Sequence, residues 1–150
     1  PAVASRGEGR DQVDLLRVDA GANILIIGYG QFAGTGLEVA EKLAAAGLAC
    51  TVADPAWCIP LSTELIGLAR EHETIVSIED NLVIAGLGER LRARLAEEAP
   101  GTRVLAFEQE FLAQGTRGEV LEELGLTSRH IARRVLEKIL QERRTVTQPA

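Results

Sequence analysis

The sequence predicts a three-layer α/β/α domain, with helices on both faces of a mostly parallel sheet of about five strands, and three observations carry that expectation. Ile24-Leu25-Ile26-Ile27 is an unbroken run of branched apolar residues ending at Gly28, the pattern of a strand buried on both faces. Helical spacing at Leu37, Ala40 and Leu43 then leads to a second apolar stretch, Cys50-Thr51-Val52-Ala53, which makes one right-handed crossover. The alternation continues through Thr74-Ile75-Val76-Ser77-Ile78 to Arg103-Val104-Leu105-Ala106-Phe107.

Each element has a local reason. The polar residues 1–12 read as an extended connecting segment, and Leu15-Leu16-Arg17-Val18 as a short edge strand. Gly47 stands where the first helix needs a C-cap. Asp54 to Pro60 is a loop bracketed by two prolines and holding Trp57. Ser62 is an N-cap for a helix that turns Leu65, Ile66 and Ala69 inward and places Arg70 near its C-terminal end. Leu87, Leu91 and Leu95 recur at helical spacing after Gly86-Leu87-Gly88, and Gly101 ends that run. Glu108 to Gly115 is a polar loop anchored by Phe111 and Leu112. A helix over Arg117 to Leu124 stops at Gly125, and Thr127 caps a last helix carrying Ile131, Val135 and Ile139.

Composition narrows the function. A chain of 150 residues with 46% apolar content suffices for one domain with a real core. Its net charge of -6 disfavours a general nucleic-acid surface, and three phenylalanines, one tyrosine and one tryptophan offer no stacking platform for bases. No apolar run approaches the ~18 residues that span a bilayer, and the first residues lack the basic start and apolar run of a signal peptide, so a cytoplasmic protein without membrane contact is expected. Cys50 and Cys58 have no metal-ligand spacing and suggest no disulfide framework. The start at Pro1 reads as a piece of a larger protein.

Candidate sites lie where the strands end. Gly28-x-Gly30-x-x-Ala33 fits the alanine-ending dinucleotide fingerprint between a strand and a helix, with Asp54 at the end of the next strand as the acidic partner. A sharp strand-to-helix turn produces the same pattern without any ligand. Glu79, Asp80 and Asn81 follow a central strand, where paired carboxylates hold Mg²⁺, share a proton or simply cap the following loop. Trp57 is a large apolar side chain in a loop and suits an interface, while Arg10, Gln114 and Arg117 lie in polar segments at domain edges, where an arginine forks onto a carboxylate or phosphate or, more commonly, pairs between domains. His72 and His130 fall in helices away from any nucleophile elbow and read as structural, so no catalytic residue and no metal ligand is assigned.

Several ordered segments resemble the C-terminal domain of the 1-deoxy-D-xylulose-5-phosphate synthases, members of the transketolase-like, thiamine-diphosphate-dependent group. They are Val52-Ala53-Asp54-Pro55-Ala56-Trp57-Cys58-Ile59-Pro60, Ala69-Arg70-Glu71-His72-Glu73, Ile78-Glu79-Asp80-Asn81, Gly86-Leu87-Gly88, and Gln114-Gly115-Thr116-Arg117-Gly118-Glu119-Val120-Leu121 with Leu124-Gly125-Leu126. The resemblance runs from about Asn23 to Leu140, and Arg6-Gly7-Glu8-Gly9 is similar to the segment that joins this domain to the preceding one.

The resemblance implies a five-stranded mixed sheet with one antiparallel edge strand. It divides the chain into an interdomain linker over residues 1–14, the domain over 15–142 and a frayed tail over 143–150. It further implies a dimeric parent that condenses pyruvate with glyceraldehyde 3-phosphate, with thiamine diphosphate and Mg²⁺ held by the preceding domains of the same polypeptide. This piece is then inactive alone, and Trp57, Glu79, Asp80, Asn81, Gln114 and Arg117 are its candidates for interdomain contact or substrate approach. The family commonly has arginine at Ala56 and histidine at Gln114, departures that leave the acceptor aldehyde open. The competing expectation is an independent nucleotide-binding regulatory domain using Gly28, Gly30 and Asp54, or a pure dimerisation domain.

Overall fold

The computed structural model describes residues 1–79, 86–99, 101–107 and 116–146. In chain order the elements are β1 (Ala4–Arg6), a 3₁₀ turn (Gly9–Asp11), β2 (Val13–Val18), β3 (Ile24–Gly28), α1 (Phe32–Ala45), β4 (Cys50–Pro55), α2 (Thr63–Arg70), β5 (Thr74–Ile78), α3 (Leu87–Glu98), β6 (Arg103–Phe107), α4 (Arg117–Glu123) and α5 (Ser128–Val146). The described strands form one six-stranded sheet in the order β1-β2-β4-β3-β5-β6.

The pairings from β4 through β3 and β5 to β6 are parallel, whereas β2 pairs antiparallel with both β4 and β1. One strand therefore runs against the rest, as expected, but it does not form the edge. Three residues of the expected connecting segment make β1 and cover the outer side of β2, which raises the strand number from five to six. A bulge between Leu15 and Arg17 pairs Leu15 with Ala53 and Arg17 with Val52, so that Leu16 is the extra residue of β2. Leu15 then packs with the core on one face of the sheet and Leu16 against the core on the other.

The period of two along each strand divides the core into two halves. Leu25, Ile27, Ala53 and Ile75 meet Leu65 and Leu68 of α2 and Leu91 and Leu95 of α3 on one face. Ile24, Ile26, Val52, Val76 and Ile78 meet Phe32, Val39 and Leu43 of α1 and Ile131 and Val135 of α5 on the other. All five residues of β3 and all five of β5 are buried, so the unbroken apolar run does lie at the heart of the sheet.

Local signals end the elements as the sequence suggests. Gly47 takes a φ of 78° while Gly47 N–H and Leu48 N–H donate to Ala44 and Leu43, and Gly125 repeats the device after α4 with a φ of 67°. The Ser62 hydroxyl accepts the Leu65 N–H at 3.2 Å. Thr116 and Glu119 close a capping box at the start of α4.

The placement of α1 on one face and of α2 and α3 on the other has a consequence for function. The connections leaving β3 and β5 run to opposite faces, so the crevice at the carboxyl ends of these adjacent strands is a topological switch point, where open α/β sheets bind ligands.

Candidate functional site

The switch-point crevice is built from the Gly28-Tyr29-Gly30 turn, the end of β4, and Glu79 just beyond β5. Gly28 is required by close approach: a Cβ there would lie 2.7 Å from the Phe32 carbonyl carbon and 2.9 Å from the Ala33 Cα. Gly30 has open space around it but a φ of 55°, so it serves the turn rather than a contact. The spacing of two glycines is thus explained by the way β3 feeds α1, before any ligand is considered.

Asp54 is drawn to that turn. Gly30 N–H donates to its Oδ1 at 3.2 Å, so the amide that a dinucleotide phosphate needs is already given to a carboxylate of the same chain. Burial pushes the Asp54 carboxyl above its ordinary value, against the Gly30 hydrogen bond and with the help of the Asp14 charge. The acidic side chain expected to meet a ribose instead faces the loop that would hold the phosphate. Gly28, Gly30 and Asp54 do come together, but as a self-contained turn.

Tyr29 occupies the remaining space. Its N–H bridges to the Ile78 carbonyl at 3.2 Å, and its ring is 8% exposed within the core shared with α2 and α3. Neither the Tyr29 hydroxyl nor the buried Ser77 Oγ has a hydrogen-bond partner of good geometry among the described residues. Burial, and after it the negative charge of Glu79, pushes the phenol far above its usual range. Sequence reasoning treated this position as the spacer of a glycine pair. The available signal was the residue itself, because an aromatic ring between two glycines at the end of a buried strand has to be accommodated in the crevice.

Glu79 is 1% exposed, and its two carboxylate oxygens accept the N–H groups of Leu87 and Gly88 at 2.7 Å each. These are first-turn amides of α3, which have no partner within the helix, and the positive end of the helix dipole favours the negative charge. Gly88 lets the helix come this close, since a Cβ would fall 2.7 Å from the Ala106 Cβ. Glu79 therefore joins β5 to α3. Asp80, Asn81 and Gln114 lie outside the described residues. Arg117 is the first residue of α4.

Trp57 stands on the surface at the same rim, 43% exposed, with its indole N–H donating to the Ile59 carbonyl. The Arg10 guanidinium lies 4.9 Å from the ring centroid, a cation–π arrangement. Next to this loop an open groove of about 590 Å³ is lined by Ile59, Leu61, Ile66, Arg90 and Arg94, none of which belongs to the glycine turn.

The histidines hold structure. His72 Nδ1–H donates to the Leu68 carbonyl at 2.8 Å and Nε2 meets the Thr51 hydroxyl at 3.0 Å, while His130 Nδ1 meets the Thr127 hydroxyl at 2.9 Å. Among the described residues no group of three or more His, Cys, Asp or Glu side chains is arranged to hold a metal ion, and no helix is long and apolar enough to cross a membrane.

Comparison with known proteins gives a consistent result. Residues 14–131 match the family model described as transketolase, C-terminal domain. The 1-deoxy-D-xylulose-5-phosphate synthase of Clavibacter sepedonicus is 43% identical over 135 residues, which are 89% of this chain and 21% of that protein. The enzyme described as 1-deoxy-D-xylulose-5-phosphate synthase 2 of Kitasatospora griseola is 38% identical over 143 residues, 90% of this chain and 22% of its own length. The chain thus spans about a fifth of the length of these relatives. Among solved structures, a split-gene transketolase described as an inactive beta4 tetramer superimposes with a TM-score of 0.77 at 30% identity, covering 91% of this chain and 46% of that one. Transketolase from Campylobacter jejuni shares the fold, with a TM-score of 0.64 at 18% identity over 87% of this chain and 19% of its own.

Proposed function

The chain belongs to the transketolase C-terminal domain family, and from this we propose that it is the C-terminal, non-catalytic part of a 1-deoxy-D-xylulose-5-phosphate synthase. The parent enzyme joins pyruvate to glyceraldehyde 3-phosphate, releasing CO₂ and forming 1-deoxy-D-xylulose 5-phosphate. The observation that carries the reading is the similarity to such synthases along 89% of the chain at 43% identity, above the 30% and 18% shared with the two transketolases of the same fold.

The described residues of this chain do not fit thiamine diphosphate or Mg²⁺. The carboxylates best placed at the crevice, Asp54 and Glu79, are committed to backbone amides, and Tyr29 is packed between the elements they join. No step of the reaction is assigned to them. The cofactors belong to the preceding domains of the parent, and the role of this domain is to support the assembly. An assembly of more than one copy, expected as a homodimer, is supported by the related split-gene transketolase, described as a tetramer. The same commitment of the Gly30 amide to Asp54 weighs against an independent dinucleotide-binding domain.

The test uses the full-length polypeptide and the 150-residue chain side by side. With pyruvate, glyceraldehyde 3-phosphate, thiamine diphosphate and Mg²⁺, the full-length protein is expected to form 1-deoxy-D-xylulose 5-phosphate. The shorter chain is expected to form none and to show no heat of binding with thiamine diphosphate or NAD. Micromolar affinity of the shorter chain for either cofactor would overturn the non-catalytic reading, and a full-length protein that turns over other substrates but not this pair would overturn the choice of enzyme.

A further inference from the structure

The polar residues ahead of β2 have the composition of a flexible linker, yet they are fastened to the domain at successive points. Val3 N–H donates to the Leu15 carbonyl at 2.7 Å, and β1 continues that pairing to Arg6 and Val13. At Gly7 the chain turns with a φ of 66°, so close to its neighbours that a Cβ would lie 2.7 Å from the Asp11 carbonyl oxygen and 2.8 Å from the Glu64 Cγ. The 3₁₀ turn then delivers three consecutive residues to the loop between β4 and α2.

Each of the three makes a different contact. The Arg10 guanidinium stacks on Trp57. The Asp11 carboxylate accepts both the Thr63 N–H at 2.8 Å and the Thr63 hydroxyl at 3.1 Å, while the Asp11 carbonyl accepts the Ser62 hydroxyl at 2.8 Å. The Gln12 carbonyl accepts the Ala56 N–H at 3.0 Å. Ser62 is 2% exposed and also caps Leu65, so the start of α2 is completed partly by its own residue and partly by Asp11. Removing the segment would leave α2 without one cap and β2 without its outer partner. A free linker has no such reciprocal role.

We propose that residues 3–12 form a rigid strut, locked by Asp11 on the start of α2 and by Arg10 on Trp57, that fixes the orientation of this domain relative to the upstream part of the polypeptide. This rests on the reading of the chain as the C-terminal part of a longer synthase. The strut ends on residues 56–63, whose loop continues from Asp54 and the glycine turn. Residues 6–12 are thereby held at the carboxyl rim of the sheet by short-range bonds, and β1 lies paired along β2, where a tether of ten free residues would leave the two bodies to tumble separately.

The experiment is hydrogen–deuterium exchange on the full-length protein, read on the peptide covering residues 3–12, together with small-angle scattering. The wild type is expected to exchange there at least ~10-fold more slowly than an unstructured chain. The Asp11→Ala/Trp57→Ala double variant is expected to lose that protection over residues 7–12 and to broaden the scattering distance distribution, while residues 24–28 keep wild-type exchange and show that the sheet is intact. Unprotected wild-type residues 3–12, or a double variant with unchanged protection, would overturn the lock. Protection lost without any change in scattering would overturn its orienting role. Synthase activity of the same wild-type preparation is scored separately: its absence removes the enzyme assignment and leaves the exchange result to decide the strut.

Discussion

Replacement of Glu79 by alanine is the perturbation that separates its structural task from its expected place on a substrate approach. The side chain is 1% exposed, and both oxygens accept α3 amides at 2.7 Å, so truncation removes two hydrogen bonds to a charged acceptor and leaves the amides of Leu87 and Gly88 without it inside the protein. Hydrogen bonds to charged groups contribute about 1.5–3 kcal/mol each, which puts the expected loss near 3–5 kcal/mol. That is a large fraction of the roughly 5–15 kcal/mol that holds a domain together. Glu79→Gln keeps the shape but points an amide group at one of the two N–H donors, and about 2 kcal/mol is expected for losing one bond and the charge at the helix start. Urea unfolding followed by far-ultraviolet circular dichroism measures both. With a slope of about 1–3 kcal/mol/M, the alanine variant should unfold at a midpoint lower by about 2 M with the slope unchanged. A loss below about 0.5 kcal/mol for the alanine variant would refute the capping argument.

Three further predictions concern the turn and the thiols. Gly28→Ala should cost about 3 kcal/mol or more, because the new Cβ meets backbone of α1 that cannot rotate away, whereas Gly30→Ala should cost about 1 kcal/mol, the strain of a φ of 55° in open space; equal melting temperatures for the two variants would contradict this account. A disulfide reagent at pH 8 should modify one thiol per native chain, the exposed Cys58, and two in denaturant, since Cys50 is buried; two native thiols reacting at one rate would refute it. Burial, and next the Asp19 charge, pushes the Cys50 thiol up to about 11, so the folded chain keeps a proton that the unfolded chain releases above the ordinary 9.0. Its contribution to stability is therefore fully present below pH 9.0 and is lost as the pH rises through about 11, a decline that urea midpoints across this window will record.

The parts of the fold legible in the sequence are those where one residue type answers one physical demand. Four consecutive apolar residues at Ile24 to Ile27 had to be covered on both faces, and only a central strand with helices above and below does that. Ser62, Gly47 and Gly125 mark helix ends because few residues supply a side-chain acceptor or a left-handed backbone. The strand Ala4–Arg6 carried no such mark. Its residues are polar and small, its stability comes from backbone pairing with β2, and alternation cannot be read from three mostly exposed positions. The strand at Leu15 to Val18 is legible in its apolar residues and its antiparallel sense is what the family resemblance implies, but its coverage by β1 depends on partners more distant than a sequence window reaches.

The site was legible in place more than in meaning. Gly28, Gly30, Asp54 and Glu79 all lie at the carboxyl rim, as the order of strands and helices demanded. What a pattern of glycines cannot state is whether the amide it exposes is still free. A phosphate cradle and a sharp turn into a helix require the same absence of Cβ atoms; they differ in where the anion comes from. Here Asp54 supplies it from the neighbouring strand, and Glu79 does the same for α3 on the other side of Tyr29. Two loops of the rim are thus neutralised by carboxylates of the chain itself, and a tyrosine ring is packed between them. A domain that satisfies its own ligand-binding end is suited to being held against something else by its surface, and Trp57, exposed in the loop that leaves β4, is where residues 3–12 are fastened.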